Sequence, residues 1–104
     1  MNLWHRIDKF NKDRDWDKFH SSANLDKSIS IEANELLECF QWNDNDYDIE
    51  EVKEELADVM NYCIPMSQVL NVDIIDIINA KMDKTEKKYP VDKAKGKSTK
   101  YNKL

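Results

Sequence analysis

The chain has 104 residues, 36% of them charged, with a net charge of −5, one Gly, two Pro and two Cys. That length fits one domain with a single core, and so little Gly and Pro argues for helices and against a β-sandwich or a dinucleotide-binding α/β fold. No apolar run is long enough to span a membrane, no signal-type apolar segment stands near the start, and Cys39 and Cys63 read as small core residues of a reducing compartment, so a soluble cytoplasmic protein is expected. The charge is uneven. Residues 81–104 hold nine Lys against Asp83, Glu86 and Asp92, net +6, which leaves −11 on the first 80 residues. An acidic body argues against a duplex nucleic-acid binder. With His5 and His20 as the only histidines, a zinc site has no adequate ligand set.

In chain order, Asn2 is placed to cap a first helix carrying Leu3, Trp4, Ile7 and Phe10 and ending near Arg14. Residues 15–24 break the periodicity and read as a loop holding Trp16, Phe19 and His20. A second helix is expected from about Leu25 to Trp42, with Leu25, Ile29, Ala33, Leu36 and Phe40 inward. Asn43-Asp44-Asn45-Asp46 is a turn. A third helix covers roughly Tyr47 to Leu70, with Val52, Leu56, Val59, Met60, Cys63 and Leu70 inward and a kink expected at Pro65. Asp73 caps a fourth helix carrying Ile74, Ile75, Ile77, Ile78 and Met82, stopped by Pro90. The domain is expected to span residues 1–91, followed by a basic tail over 92–104 that reads either as a solvated, partly disordered end or as a segment lying over a polyphosphate, a nucleic acid or a neighbouring subunit.

Two acidic pairs stand inside this pattern, Glu32-x-x-Glu35 and Glu55-x-x-Asp58. Carboxylates three residues apart share a helix face, and each pair borders its apolar stripe. Two such helices packed antiparallel bring four carboxylates together. Four anions losing hydration repel one another, and a divalent cation relieves them. Oxygen-only ligation suits magnesium, with manganese as a substitute, and magnesium favours phosphate partners. The competing interpretation is a solvated acidic face, common in a chain this charged.

Several segments in order resemble the MazG-like all-α nucleoside triphosphate pyrophosphohydrolases, and within them the dCTP pyrophosphatase branch. These are Arg14-Asp15-Trp16-Asp17-Lys18-Phe19-His20, Ile31 to Trp42 with its Glu-x-x-Glu-Leu core, Glu54-Glu55-Leu56-Ala57-Asp58-Val59-Met60-Asn61-Tyr62, and Lys81-Met82-Asp83 followed by Lys88-Tyr89-Pro90. The chain departs from the pattern at Thr85, where many relatives carry Asn, and at Pro65. The resemblance implies a four-helix fold with a central antiparallel hairpin, assembling by helix packing into a homodimer or homotetramer. It implies that Glu32, Glu35, Glu55 and Asp58 ligate magnesium and that Trp16, His20, Trp42 and Tyr62 line a nucleotide pocket. The expected reaction converts a nucleoside triphosphate, dCTP or a related deoxynucleotide, to monophosphate and pyrophosphate, in nucleotide-pool sanitation. Glu35 and Glu38 are both candidates to position or deprotonate the attacking water. Lys81, Lys84 and Lys88, at i, i+3 and i+7, share a face that can meet the pyrophosphate. The alternatives are a non-catalytic acidic interaction module and a di-iron bundle; the second is disfavoured because the chain lacks a Glu-x-x-His pair.

Overall fold

The computed structural model describes residues 2–104, and among them every regular element is helical. The chain divides into two compact units, Met1–Val72 and Asp73–Leu104. In the first, α1 spans Leu3–Asp13, α2 Ser22–Glu38 and α3 Ile49–Val69. In the second, α4 spans Ile74–Lys88 and α5 is one turn, Val91–Ala94. No helix among the described residues is long and apolar enough to cross a membrane.

The helix ends follow from local chemistry. The Asn2 side chain accepts from the His5 N–H at 2.9 Å and starts α1 as expected. Its far end closes with Asp15 in the left-handed region (φ 54°), while the Asp15 N–H reaches Lys12 O and the Trp16 N–H reaches Asn11 O. This pair of bonds is a Schellman closure, and it aims the chain so that Trp16 returns to α1. The Trp16 ring meets Phe10 edge-on at 5.5 Å, and the Arg14 guanidinium lies 3.8 Å from the Phe10 ring centre.

The loop read over 15–24 is shorter than expected. Asp17–Phe19 forms a 3₁₀ turn, and Ser21 caps α2 by accepting from the Asn24 N–H, so the helix begins at Ser22, ahead of Leu25. At its other end α2 stops at Glu38, short of Trp42. The amides of Cys39, Phe40 and Gln41 bond three residues back and tighten the chain into a 3₁₀-type turn. Phe40 then packs against Tyr47 at 4.7 Å, and the Asn43 side chain accepts from the amides of Asn45 and Asp46 in the predicted turn. Asp48 caps α3, which runs on through Pro65.

Helices α2 and α3 pack along each other in opposite directions. Glu32 feels the charges of Asp58 and Glu55, whereas Cys39, two turns further along α2, feels those of Glu51 and Glu55. The buried residues gather at the open end of this hairpin: Leu25 near the start of α2, and Ile64, Pro65 and Ser67 near the end of α3. Burying a side chain such as Leu25 contributes about 1.5–3 kcal/mol. α1 covers part of α3, and Gln68 Nε2 donates to Trp4 O at 3.4 Å.

Much of the expected core is not covered in the single chain. Leu56 is 52% exposed, and Met60, Ala33 and Leu70 are exposed as well. A hairpin two helices thick has two broad faces, and α1 packs mainly against α3. Ile31, Leu37 and Ile49 are likewise open.

In the second unit, Asp73 accepts from the amides of Ile75 and Asp76 and α4 ends just before Pro90, both as the sequence suggests, while α5, which follows Pro90, is not an expected element. The basic segment over 92–104 carries most of α5 and a 3₁₀ turn at Tyr101–Lys103. Tyr101 packs edge-on to Tyr89 at 6.1 Å, with the Lys88 ammonium 4.7 Å from its ring centre. No residue of this unit is fully buried, and Ile75, Ile77 and Ile78 remain exposed.

Candidate active site

The α2–α3 hairpin brings Glu32, Glu35 and Glu55 together, with one carboxylate oxygen from each lying within 4.8 Å of the others. Glu32 Oε2 and Glu55 Oε2 are closed off from solvent and have no hydrogen-bond partner among the described residues. The ion pairs among those residues, on α1, at Asp15–Lys18 and at Glu50–Lys53, leave the cluster without a cation. Burial is the largest cause pushing Glu32 up to about 7. The adjacent Glu35 carboxylate and the charges of Asp58 and Glu55 push the same way. Burial, with the charges of Glu35 and Asp58 next, raises Glu55 too.

An arrangement that leaves enclosed carboxylate oxygens unpartnered and raises their affinity for protons fits a hard divalent cation. The donors are all oxygen, and a cation would satisfy the orphaned atoms and remove the repulsion. Asp58 stands outside the closest trio but acts by charge on both Glu32 and Glu55. Glu38, the last residue of α2, is exposed and also outside the trio.

Asp58 also lines a cavity of about 480 Å³. Asn61 and Tyr62 of α3, Trp16 and His20 of the intervening loop, and a face of α1 comprising Leu3, Arg6, Ile7, Phe10 and Asn11 complete its wall. That volume suits a small ligand. Three of the four residues expected in a nucleotide pocket, Trp16, His20 and Tyr62, are thus brought together beside a carboxylate of the cluster. Trp42 is not; it lies in the α2–α3 connection and is 89% exposed. Lys81, Lys84 and Lys88 share α4 in the other compact unit, all exposed.

The contribution of α1 was not read from the sequence. Its Leu3–Ile7–Phe10 stripe was visible, but a stripe at that spacing reads as core, and only the flanking polar residues Arg6 and Asn11 hinted at a site. Asn61, three residues after Asp58, lies within the α3 motif, whose spacing assigns it no role.

Comparison with known proteins agrees with this geometry. Residues 27–104 match the MazG-like family. The chain belongs to that family. Among similar proteins, dCTP pyrophosphatase 1 of Homo sapiens is 31% identical and that of Bos taurus 30%, each over 92% of this chain. The chain spans 62% of the length of these relatives. A crystal structure of a pyrophosphatase from Archaeoglobus fulgidus is 40% identical, with a TM-score of 0.76 over 85% of this chain and 89% of that one.

Proposed function

We propose that this chain is a magnesium-dependent nucleoside triphosphate pyrophosphohydrolase, acting on dCTP or a related deoxynucleotide and releasing the monophosphate and pyrophosphate. The observation that carries the reading is the trio of crowded carboxylates, two with orphaned oxygens, adjoining through Asp58 a ligand-sized cavity lined by aromatic rings. Relatives named as dCTP pyrophosphatases support the substrate class.

Glu32, Glu35, Glu55 and Asp58 would hold the cation. When bound, magnesium, or manganese in its place, supplies positive charge to phosphate oxygens and lowers the pKa of water. Phe10 and Trp16 offer a base an apolar wall, and His20 and Tyr62 add polar groups beside it. Glu35, in the trio, and Glu38, one turn on, are the candidates to take a proton from water attacking the α-phosphorus. Lys81, Lys84 and Lys88 would neutralise the departing pyrophosphate.

The chain acts as a homodimer or homotetramer in this reading. The open apolar faces of α2, α3 and α4 are what a second copy would cover, and Trp42 would reach its nucleotide at such an interface. Nucleotide-pool sanitation in the cytoplasm is the corresponding role, with the domain over residues 1–91 and the basic segment over 92–104.

Incubation with each common dNTP and NTP, with magnesium or with a chelator, tests the proposal. Monophosphate and pyrophosphate should appear in the magnesium arm alone. Orthophosphate with diphosphate would place attack at the γ-phosphorus and overturn the mechanism. No turnover of any nucleotide would favour an acidic interaction module instead.

A further inference from the structure

One basic side chain stands on the cavity wall without a partner among the described residues. Leu3, Arg6, Ile7 and Phe10, at i, i+3, i+4 and i+7, fall on one face of α1, and that face lines the 480 Å³ cavity. Arg6 is the only lysine or arginine of that wall. Its guanidinium enters no hydrogen bond, ion pair or ring contact among the described residues. Asp58 lines the same cavity, yet the two opposite charges do not join in an ion pair.

The other lysines and arginines of this unit are occupied, with one exception. Arg14 donates to the Phe10 carbonyl and lies over the Phe10 ring, and Lys9, Lys12, Lys18 and Lys53 each meet a carboxylate. The exception, Lys27, sits on α2 and lines neither this cavity nor the smaller recess beside it. A free charge and a place on the wall coincide at Arg6 alone. A guanidinium offers five donors in a planar fork, has no acceptor and stays charged at any working pH. The group that completes it is an anion with paired oxygens, such as a phosphate.

A triphosphate whose outer phosphates lie with a cation on the carboxylates, and whose nucleoside fills the cavity, has its α-phosphate between the two. That phosphate stays with the nucleoside after cleavage. Building on the nucleotide reading of this cavity, we propose that Arg6 binds the phosphate joined to the nucleoside, in the triphosphate and in the monophosphate alike. The site then holds its nucleotide product more tightly than the bare nucleoside, and the monophosphate competes with the incoming triphosphate.

Calorimetric titration of the full chain at saturating magnesium, with the four common deoxynucleosides and their 5′-monophosphates, tests this contact apart from hydrolysis. Pyrophosphate release from the triphosphates is measured alongside, and circular dichroism establishes folding of each variant. In the wild type at least one monophosphate should bind about tenfold or more tighter than its nucleoside. Arg6→Gln should weaken that monophosphate about tenfold, the worth of one hydrogen bond to a charged group, and leave the nucleoside unchanged. Arg6→Lys, which keeps the charge, should recover part of the loss. For any triphosphate that is hydrolysed, Arg6→Gln should raise its KM and the inhibition constant of its monophosphate in parallel. A phosphate-dependent affinity that Arg6→Gln reduces, without pyrophosphate release from any triphosphate, keeps the inference and removes the enzymatic reading. Equal binding of nucleoside and monophosphate by the wild type, equal weakening of both in Arg6→Gln, or unchanged monophosphate affinity in the folded variant overturns the inference, whether or not pyrophosphate is released.

Discussion

The two walls of the candidate site are built on opposite principles. The carboxylate wall, on the packed hairpin α2–α3, concentrates like charge around two carboxylate oxygens closed off from solvent, which raises the pKa of both Glu32 and Glu55. The α1 wall has no buried residue at all and rests on α3 through few ties, among them Gln68 to the Trp4 carbonyl. The first stores electrostatic repulsion that a cation removes; the second presents unfinished apolar and polar surface that a ligand completes. In the proposed reading, such a site would take phosphate on the hairpin and the base against α1.

Breaking the first wall should have the largest effect. Glu35→Gln or Asp58→Asn should lower kcat of pyrophosphate release by roughly a thousandfold or more while the helical circular-dichroism spectrum persists, because the loss is of transition-state charge stabilisation. In the absence of divalent ions the melting temperature should hold or rise, since one anion has left a repelling set. Near-normal turnover of either variant under saturating magnesium would remove these carboxylates from the chemistry.

Breaking the second wall should cost less. Trp16→Ala should weaken nucleotide binding by about 1–3 kcal/mol, the range of base–aromatic stacking, with the fold checked by thermal melt. Unchanged affinity in the folded variant would return Trp16 to loop packing against Phe10. Trp42→Ala, at an exposed position, should lower affinity only where copies assemble, which sedimentation in parallel would reveal.

The pH dependence distinguishes the walls again. A folded pKa of about 7 for Glu32, against an ordinary value of 4.5, means that the native chain binds more protons than the unfolded one between those limits. The stability this contributes is full below about pH 4.5 and is lost as pH rises through about 7. Metal-free protein should therefore melt at lower temperature at pH 7.5 than at pH 5.5, and saturating magnesium should narrow or reverse the difference. A metal-free melting temperature that rises across this interval would contradict the account.

The smallest effect concerns the end of α3, where Asn71 takes φ 54° to close the helix and the Val72 N–H reaches Ser67 O. Glycine adopts that conformation without strain, so Asn71→Gly should raise stability by about 0.5 kcal/mol in a denaturant titration. Destabilisation would show that the Asn71 side chain contributes something its geometry does not reveal.

The difference between the walls also decided what could be read in advance. Glu32, Glu35, Glu55 and Asp58 were legible because helical periodicity converts spacing into a shared face, and two such faces on adjoining helices must meet. Trp16, His20 and Tyr62 came from a family resemblance; spacing alone could not bring a loop and a helix to one cavity. Arg6, Asn11 and Asn61 were missed because their role depends on where α1 crosses α3, which no local pattern encodes. The ends of α2 were misplaced for another reason. Ser21 reads as loop until its hydroxyl is seen to cap, and the 3₁₀ turn after Glu38 keeps helical periodicity without helical bonding. The overestimate of the core came from assigning each apolar stripe to burial within one chain, when Ala33, Leu56 and Met60 remain open.

Titrating the metal-free protein with Mn²⁺ at pH 7, in buffers of differing ionisation enthalpy, tests the carboxylate site most directly. Saturable binding should displace about half a proton from Glu32 per site, the share expected at a pKa near 7. The release should shrink as pH rises, and binding should weaken sharply in Glu55→Gln. Binding that moves no proton, or that Glu55→Gln leaves unchanged, would contradict a cation site formed by these carboxylates.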